Sequence, residues 1–306
     1  MNQKEAEFLD RSQCINCGSS NLKKLSGGFF GDDPLCSLIE NDPWGESPMS
    51  FIEKKKWSFV QCKDCAQMFH KYILSPEWNE VRFESWMTAD AMEKFSEPKN
   101  TIETNFNKTK QHVTHILRLE KMTQKIRGNK PVRILDFGCG WGDFLATADR
   151  FGFIGYGVDR SSARRKLGQH GVIFQDIEEL KNERNSFHVI TLFEVLEHLD
   201  TPLTVLKSLS KLIVPGGILV LETPDCAGVT NIKDMTTYRK IHPLDHINAF
   251  TSETLSSIAG HAGFRKIKPC LSIITTNRAK IIKSEIKHLL YNFKNLRSTR
   301  QYFIKC

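Results

Sequence analysis

Asp136, Gly138, Gly140 and Gly142 stand at alternate positions directly after the apolar pair Ile134-Leu135. Glycines at that spacing let backbone N–H groups approach a ligand, because no Cβ holds the chain away and left-handed conformations are open to it. With the helical spacing of Phe144, Leu145 and Ala148, they form a strand–loop–helix junction, the place where parallel α/β sheets hold nucleotide-like ligands. The spacing differs from the dinucleotide pattern G-x-G-x-x-G. Two other groups join carboxylates to imidazoles. Glu194, Glu197 and His198 would share one face of a helical turn. His242, Asp245 and His246 follow later. Neutral imidazole takes a proton near pH 7, and an adjacent carboxylate raises its basicity, so either group has the makings of a general base. Finally, Cys14-Ile15-Asn16-Cys17 and Cys62-Lys63-Asp64-Cys65 are two Cys-x-x-Cys knuckles. Four thiolates so paired are a tetrahedral zinc set with no open position, hence structural. An iron–sulfur cluster or redox pairs are the other readings of the same ligands. Cys36, Cys139, Cys226, Cys270 and Cys306 read as buried or incidental thiols.

The elements that must position these residues alternate. Strands are expected at 132–137, 153–158, 172–174, 187–193 and 217–223, and helices at 142–150, 161–169, 202–213 and 251–262. Such alternation means an α/β fold, a mostly parallel sheet with helices on both faces. Ahead of it, 76–100 reads as two short helices and 101–127 as one long helix stopped at Gly128-Asn129-Lys130-Pro131. The expected organisation is a four-cysteine zinc module over 1–75, a helical linker or lid over 76–129, the ligand-binding α/β domain over 130–277 and a basic amphipathic tail over 278–306. Residues 264–277 are short for the last two strands of such a sheet, and nothing in the sequence supplies the seventh.

Composition bounds the function. With 40% hydrophobic and 25% charged residues the chain is an ordinary globular one. It carries no apolar run of bilayer length and no signal-peptide pattern at its start. A reducing, cytoplasmic setting is expected, and with it thiols or metal ligands rather than disulfides. The net charge of +8 is uneven: from Gly263 onward eleven Lys or Arg face one acid, Glu285, which is +10 there and leaves −2 for the rest. The α/β domain is therefore no nucleic-acid-coating surface. In the tail, Ile281, Ile282, Ile286, Leu289, Leu290 and Phe293 lie opposite Lys280, Lys283, Lys287 and Lys294. That pattern suits the inner face of an anionic membrane, or equally packing on this domain or a second copy.

The segments ILDFGCGWG, GVDRS, FQDIEEL, FHVITLFEVLEHLDTP and LIVPGGILVLETPD, in that order, resemble class I S-adenosylmethionine (SAM)-dependent methyltransferases over roughly 130–264. The resemblance implies a Rossmann-like sheet. It implies that Gly138, Gly140 and Gly142 underlie the methionine part of SAM. Asp136 would orient the loop and the ammonium group, Asp159 the ribose, and Asp176 with Ile177 the adenine. Arg160 and Phe193 are counted with the cofactor-binding residues. Methyl transfer then asks for alignment of the acceptor and removal of its proton.

The acceptor is read from two further likenesses. Asp245-His246 resembles the acid–His base of sugar C-methyltransferases, with Asp for the usual Glu. The N-terminal knuckles, with Val60-Gln61-Cys62-Lys63-Asp64-Cys65-Ala66-Gln67-Met68-Phe69 as the second, resemble the arrangement in those enzymes and in related bacterial glycan methyltransferases. A sugar or glycan is thus the first expected acceptor, O- or C-methylated. Those relatives carry a further C-terminal domain, which leaves other acceptors open. Glu194-x-x-Glu197-His198 with His246 is also similar to the divalent-ion set of methyltransferases of ubiquinone synthesis and of small-RNA 3′ ends. Carboxylate and imidazole suit such an ion, and the competing expectation is a metal-assisted O-methyltransferase of a quinone-like phenol or an RNA end. A third reading is a zinc-ribbon nucleic-acid module on a degenerate fold, for which Lys54, Lys55, Lys56, Trp57 and Phe59 are the candidate contacts. His112, His115, His170, His188 and His261 read as surface or cap residues.

Overall fold

The computed structural model describes residues 5–88, 90–91, 94, 101–160, 173–174, 177–180, 182–270, 282, 286 and 298–306. Among these, strands run at β1 (Phe8–Asp10), β2 (Leu22–Phe29), β3 (Lys56–Cys62), β4 (Met68–His70), β5 (Tyr72–Leu74), β6 (Arg133–Phe137), β7 (Ile154–Val158), β8 (Ile173–Phe174), β9 (Phe187–Phe193), β10 (Ile213–Glu222), β11 (Asn248–Ala249), β12 (Phe264–Ile267) and β13 (Arg300–Lys305). The chain forms two compact units. One holds Met1–Thr101, Leu196–Pro202 and Pro224–Phe250; the other holds Ile102–Val195, Leu203–Thr223 and Thr251–Cys306.

The second unit is built on a seven-stranded sheet in the order β12-β13-β10-β9-β6-β7-β8. β13 runs antiparallel to both neighbours, and the pairings from β10 to β8 are parallel. Strands covered on both faces must be apolar throughout, which is why Ile134, Leu135, Val189, Ile190, Ile218 and Val220 are all buried. The helix Ile102–Arg127 contributes Ile116 and Leu119 to that core, beside Val132, Phe144 and Tyr302. It is thus part of the α/β unit rather than a linker. The missing seventh strand is β13, drawn from the last residues of the chain. The expected tail of 278–306 is therefore corrected at its end: Tyr302 and Phe303 are buried in the sheet. Apart from Ile282 and Ile286, the amphipathic stretch 278–294 lies outside the described residues, as does the expected helix over 161–169.

The first unit joins an antiparallel sheet in the order β11-β4-β3-β2 with a β1-β5 pair. Phe30, Leu35, Ile39, Ile52, Trp57, Phe59, Trp78, Trp86 and Tyr238 pack in its core. Trp57 and Phe59, candidate contacts for nucleic acid, are therefore core residues. The expected block 1–75 is too short: the unit also takes in the helix Pro76–Val81, the π turn Arg82–Trp86 and two segments from after β9 and β10. Its sheet is completed by β11, 178 residues beyond β4 at its nearest, a pairing no contiguous boundary can express. No helix among the described residues is long and apolar enough to cross a membrane.

Candidate functional site

Between β6 and the helix Asp143–Asp149, the chain turns through Gly138, Gly140 and Gly142 at φ +83°, +57° and +80°. The first has a packing reason: a Cβ on Gly138 would collide with the Val195 side chain. Gly140 is different. A Cβ there would meet nothing within 4 Å, so the bare backbone faces open space, as a ligand cradle requires. Its N–H donates to the carboxylate of Asp159 at 2.9 Å, which ties the loop to the end of β7. Asp136, at the end of β6, is buried and accepts a 2.6 Å hydrogen bond from Thr191 Oγ1. Burial pushes its carboxyl up to about 7, against the Thr191 bond and with the help of Asp159. A buried carboxylate without a cation partner among the described residues suits an incoming ammonium, so the loop fits the SAM that the resemblance implies. Phe193 closes β9 against Phe144 at 5.1 Å and His115 at 5.4 Å between ring centres. Arg160 is exposed. Asp176 lies outside the described residues, and Ile177 opens the short helix Ile177–Leu180.

His115 corrects the expectation of a surface residue. It is buried, with Nδ1 2.6 Å from Tyr302 Oη, and burial pushes its pKa down to about 3. His188 accepts the Arg133 N–H at Nδ1. His170 lies outside the described residues.

The carboxylate–imidazole groups come together in the first unit, with a changed membership. Glu194 has φ +54°, which breaks the helical turn expected to carry it, and it belongs to the second unit. Leu196–His198 is a single 3₁₀ turn. Glu197, His198 and His246 each offer one ligand atom, and these lie within 4.8 Å of one another. The rings of His198 and His246 meet edge to face at 4.8 Å. Asp245 pairs with His198 rather than chiefly with its neighbour: Oδ1 is 3.0 Å from His198 Nδ1, while Oδ2 is 3.8 Å from His246 Nε2. The missed residue is Arg82, buried in the π turn, whose Nη1 donates to Asp245 Oδ1 at 2.7 Å and to Leu244 O at 2.6 Å. It had no sequence signal beyond being a basic residue in an apolar stretch.

Burial works against charge on each of these groups, and the neighbours decide the outcome. His198 is lifted to about 9 because Asp245 outweighs burial. Asp245 is held well below the usual carboxylate range because His198 and Arg82 outweigh it. His246 is pushed down to about 4 because burial wins over Asp245. Its Nδ1 is buried and has no hydrogen-bond partner among the described residues. His242 stands apart. Its Nδ1 accepts the Leu244 N–H, so Nε2 carries the proton and faces Tyr238 Oη at 2.7 Å, which in turn donates to Asp42.

This arrangement has the form of the outer ring of a metal site. A carboxylate holding Nδ1 of an imidazole fixes the tautomer and aims Nε2 at an ion, and Asp245 does this for His198 beside Glu197. Two imidazoles and one carboxylate suit a divalent first-row ion and leave coordination positions open.

The four knuckle cysteines meet as their spacing implied. Cys14 Sγ is 3.5 Å from Cys65 Sγ, and Cys17 Sγ is 3.6 Å from Cys62 Sγ. Thiolates bound to zinc at about 2.3 Å stand about 3.8 Å apart in a tetrahedron, so the set fits zinc. Gly18 and Ala66, which follow the knuckles, turn left-handed at φ +77° and +61° and return their N–H groups to Cys14 O and Cys62 O. Burial pushes the Cys14 thiol up to about 11 and Cys65 further up, a cost that a bound cation removes.

A family described as a methyltransferase domain matches residues 107–268, just over half of the chain. The chain is 30% identical over 126 residues to a ubiquinone biosynthesis O-methyltransferase of Actinobacillus pleuropneumoniae, with 37% of this chain and 54% of that protein covered. It is 34% identical over 121 residues to the protein so named in Coxiella burnetii, covering 37% and 51%. The chain thus spans about half the length of these relatives. A SAM-dependent methyltransferase structure from Archaeoglobus fulgidus aligns at a TM-score of 0.40 and 22% identity, over 63% of this chain and 92% of that one.

Proposed function

The chain belongs to the methyltransferase-domain family, and we propose that it is a SAM-dependent methyltransferase that methylates a hydroxyl of a quinone-like phenol, with a divalent ion held by Glu197, His198 and His246. The relatives named for ubiquinone biosynthesis support the acceptor class. The observation that carries the reading is the half-buried Glu197–His198–His246 cluster with Asp245 behind it. Bound SAM supplies a methyl carbon on a positively charged sulfur. Gly140 and Asp159 would hold it, and Asp136 would pair its ammonium. A bound divalent ion would lower the pKa of a coordinated hydroxyl. With one nitrogen of His246 on the ion and the ring proton on the other, that ring would be a ligand and not a base, and the hydroxyl acidified by the ion would release its proton to water. Asp245 keeps His198 oriented, and Arg82 keeps Asp245 in place. Zinc on Cys14, Cys17, Cys62 and Cys65 would be structural.

A second reading keeps a sugar as acceptor and His246 as its base, and the cysteine module favours it through its likeness to sugar C-methyltransferases. Purified protein with labelled SAM, offered a catechol and a nucleotide sugar with and without added Mg²⁺, separates the two. Methylation of the catechol that needs the added ion and fails in His198→Ala is the expected result. Ion-independent methylation of the nucleotide sugar alone would overturn the first reading in favour of the second.

A further inference from the structure

Arg11 lies three residues before Cys14 and is spent entirely on the other side of its own unit. Its guanidinium donates to His70 O at 3.0 and 2.6 Å, to Ile247 O at 2.8 Å and to Asn248 Oδ1 at 2.8 Å, and it stacks over the Phe69 ring at 5.0 Å. The Asn248 side chain is buried, and because its oxygen faces Arg11 its two N–H groups must face away. They donate to Leu196 O at 2.9 Å and Leu199 O at 2.7 Å. Those two carbonyls bracket Glu197 and His198. On the backbone, Asn248 sits two residues after His246, in β11, paired with Phe69 of β4. Gln67, two residues past the second knuckle, donates to Ala249 O at 2.8 Å, and its own carbonyl accepts the Cys62 N–H.

We propose that Asn248, fixed in orientation by Arg11, is a positioning residue that holds the Leu196–Leu199 turn and thereby sets Glu197 and His198 at ligating distance from His246. The cysteine module is then the foundation of the acceptor-side cluster. The physical ground is that the short 3₁₀ turn offers Leu196 O only a long 3.4 Å bond from the Leu199 N–H, so the shorter Asn248 bonds are what hold these carbonyls in place. The claim that a ligand is bound there rests on the cation reading given above; the claim that Asn248 holds the turn does not.

The test uses the full zinc-loaded chain and Asn248→Asp, which keeps an acceptor for Arg11, loses the two donors and turns a carboxylate oxygen toward the Leu196 and Leu199 carbonyls. Free Mn²⁺ is followed by electron paramagnetic resonance, hydrogen exchange is read over 194–202, and zinc content and SAM affinity are controls. Wild type is expected to bind Mn²⁺ and His198→Ala to lose it. Asn248→Asp is expected to bind about tenfold more weakly, in the range for outer-shell changes at metal sites, with faster exchange confined to 194–202 and both controls unchanged. Arg11→Lys, which cannot fix the amide through a planar fork, should give a smaller change of the same kind and serves if Asn248→Asp does not fold. Unchanged exchange over 194–202, or faster exchange throughout the unit, overturns the positioning role whatever Mn²⁺ does. If exchange rises at the turn and wild type takes up no Mn²⁺, the positioning role stands and the cation reading fails.

Discussion

Asp136 and Asp245 are both taken largely out of water, and they have opposite fates. Asp136 has one hydroxyl and a neighbouring acid, and its carboxyl is pushed up to about 7. Asp245 has Arg82 and His198 against the same oxygen and is held well below the usual range. Desolvation acts on both; only one has cations of the protein's own to offset it. The difference teaches which partner is meant to arrive. A carboxylate left costly in the protein alone is waiting for a ligand's charge, whereas one already neutralised is part of the scaffold that aims another side chain.

The most damaging way to break this contrast is to remove the frame around Asp245. Cys62→Ala deletes one of four thiolates, and structural zinc sites in small modules are worth about 10–16 kcal/mol of apparent binding. The variant is expected to lose zinc and the near-ultraviolet dichroism of the packed Trp57, Trp78 and Trp86. A zinc-free variant that keeps that signal would show that the thiols are not what holds the first unit together.

A narrower cut is Arg82→Met. It leaves Asp245 with half of its compensation and Leu244 O without its donor. Breaking a buried pair from one side costs about 3–5 kcal/mol, read as a fall in the denaturant midpoint, and Arg82→Lys should recover part of it. A cost below about 1 kcal/mol would mean that His198 alone suffices and that Asp245 is less scaffolded than its geometry implies.

On the cofactor side the backbone, not charge, is the sensitive element. Gly138→Ala places a Cβ at φ +83° and against Val195 Cγ2, for a cost of about 2 kcal/mol from strain and overpacking together. Adding Val195→Ala should return the overpacking part and leave the strain. A double variant no better than the single one would place the whole cost in the left-handed backbone.

How much of this was legible follows from where the chain puts its partners. The cradle lies within 136–159, and a strand, its glycine loop and the acid closing the next strand are local in sequence; so are the two knuckles. β9 begins and ends at the expected residues, and the helices at 142–150, 202–213 and 251–262 differ by at most one residue at each end. β13 was not legible, because a strand gains its place from its neighbours and no nearby turn announces it. Nor was the Asp245–His198 pairing. Adjacency pointed to His246, but consecutive side chains diverge, and the partner came from 47 residues away with Arg82 from 163. Glu194 failed because the helix it needed is broken by its own left-handed backbone.

The mildest test asks whether Asp136 really is a carboxylate without its cation. Its pKa is 3.8 in the reference state and about 7 in the fold. The folded state therefore binds the proton more tightly, so the stability is complete below about pH 4, declines as pH rises toward 7, and is level beyond. Between pH 6 and pH 8 the ligand-free protein should lose about 1 kcal/mol from this group. Asp136→Asn keeps an oxygen for Thr191 and cannot ionise, so it should erase that slope and be the more stable protein at pH 8, while binding SAM more weakly. Saturating SAM should flatten the wild-type slope too, because an ammonium beside Asp136 favours the ionised form. Denaturant midpoints at the two pH values, with and without SAM, check all three. A slope that survives both the substitution and the ligand would mean that Asp136 is compensated like Asp245, and the contrast between the two aspartates would fall.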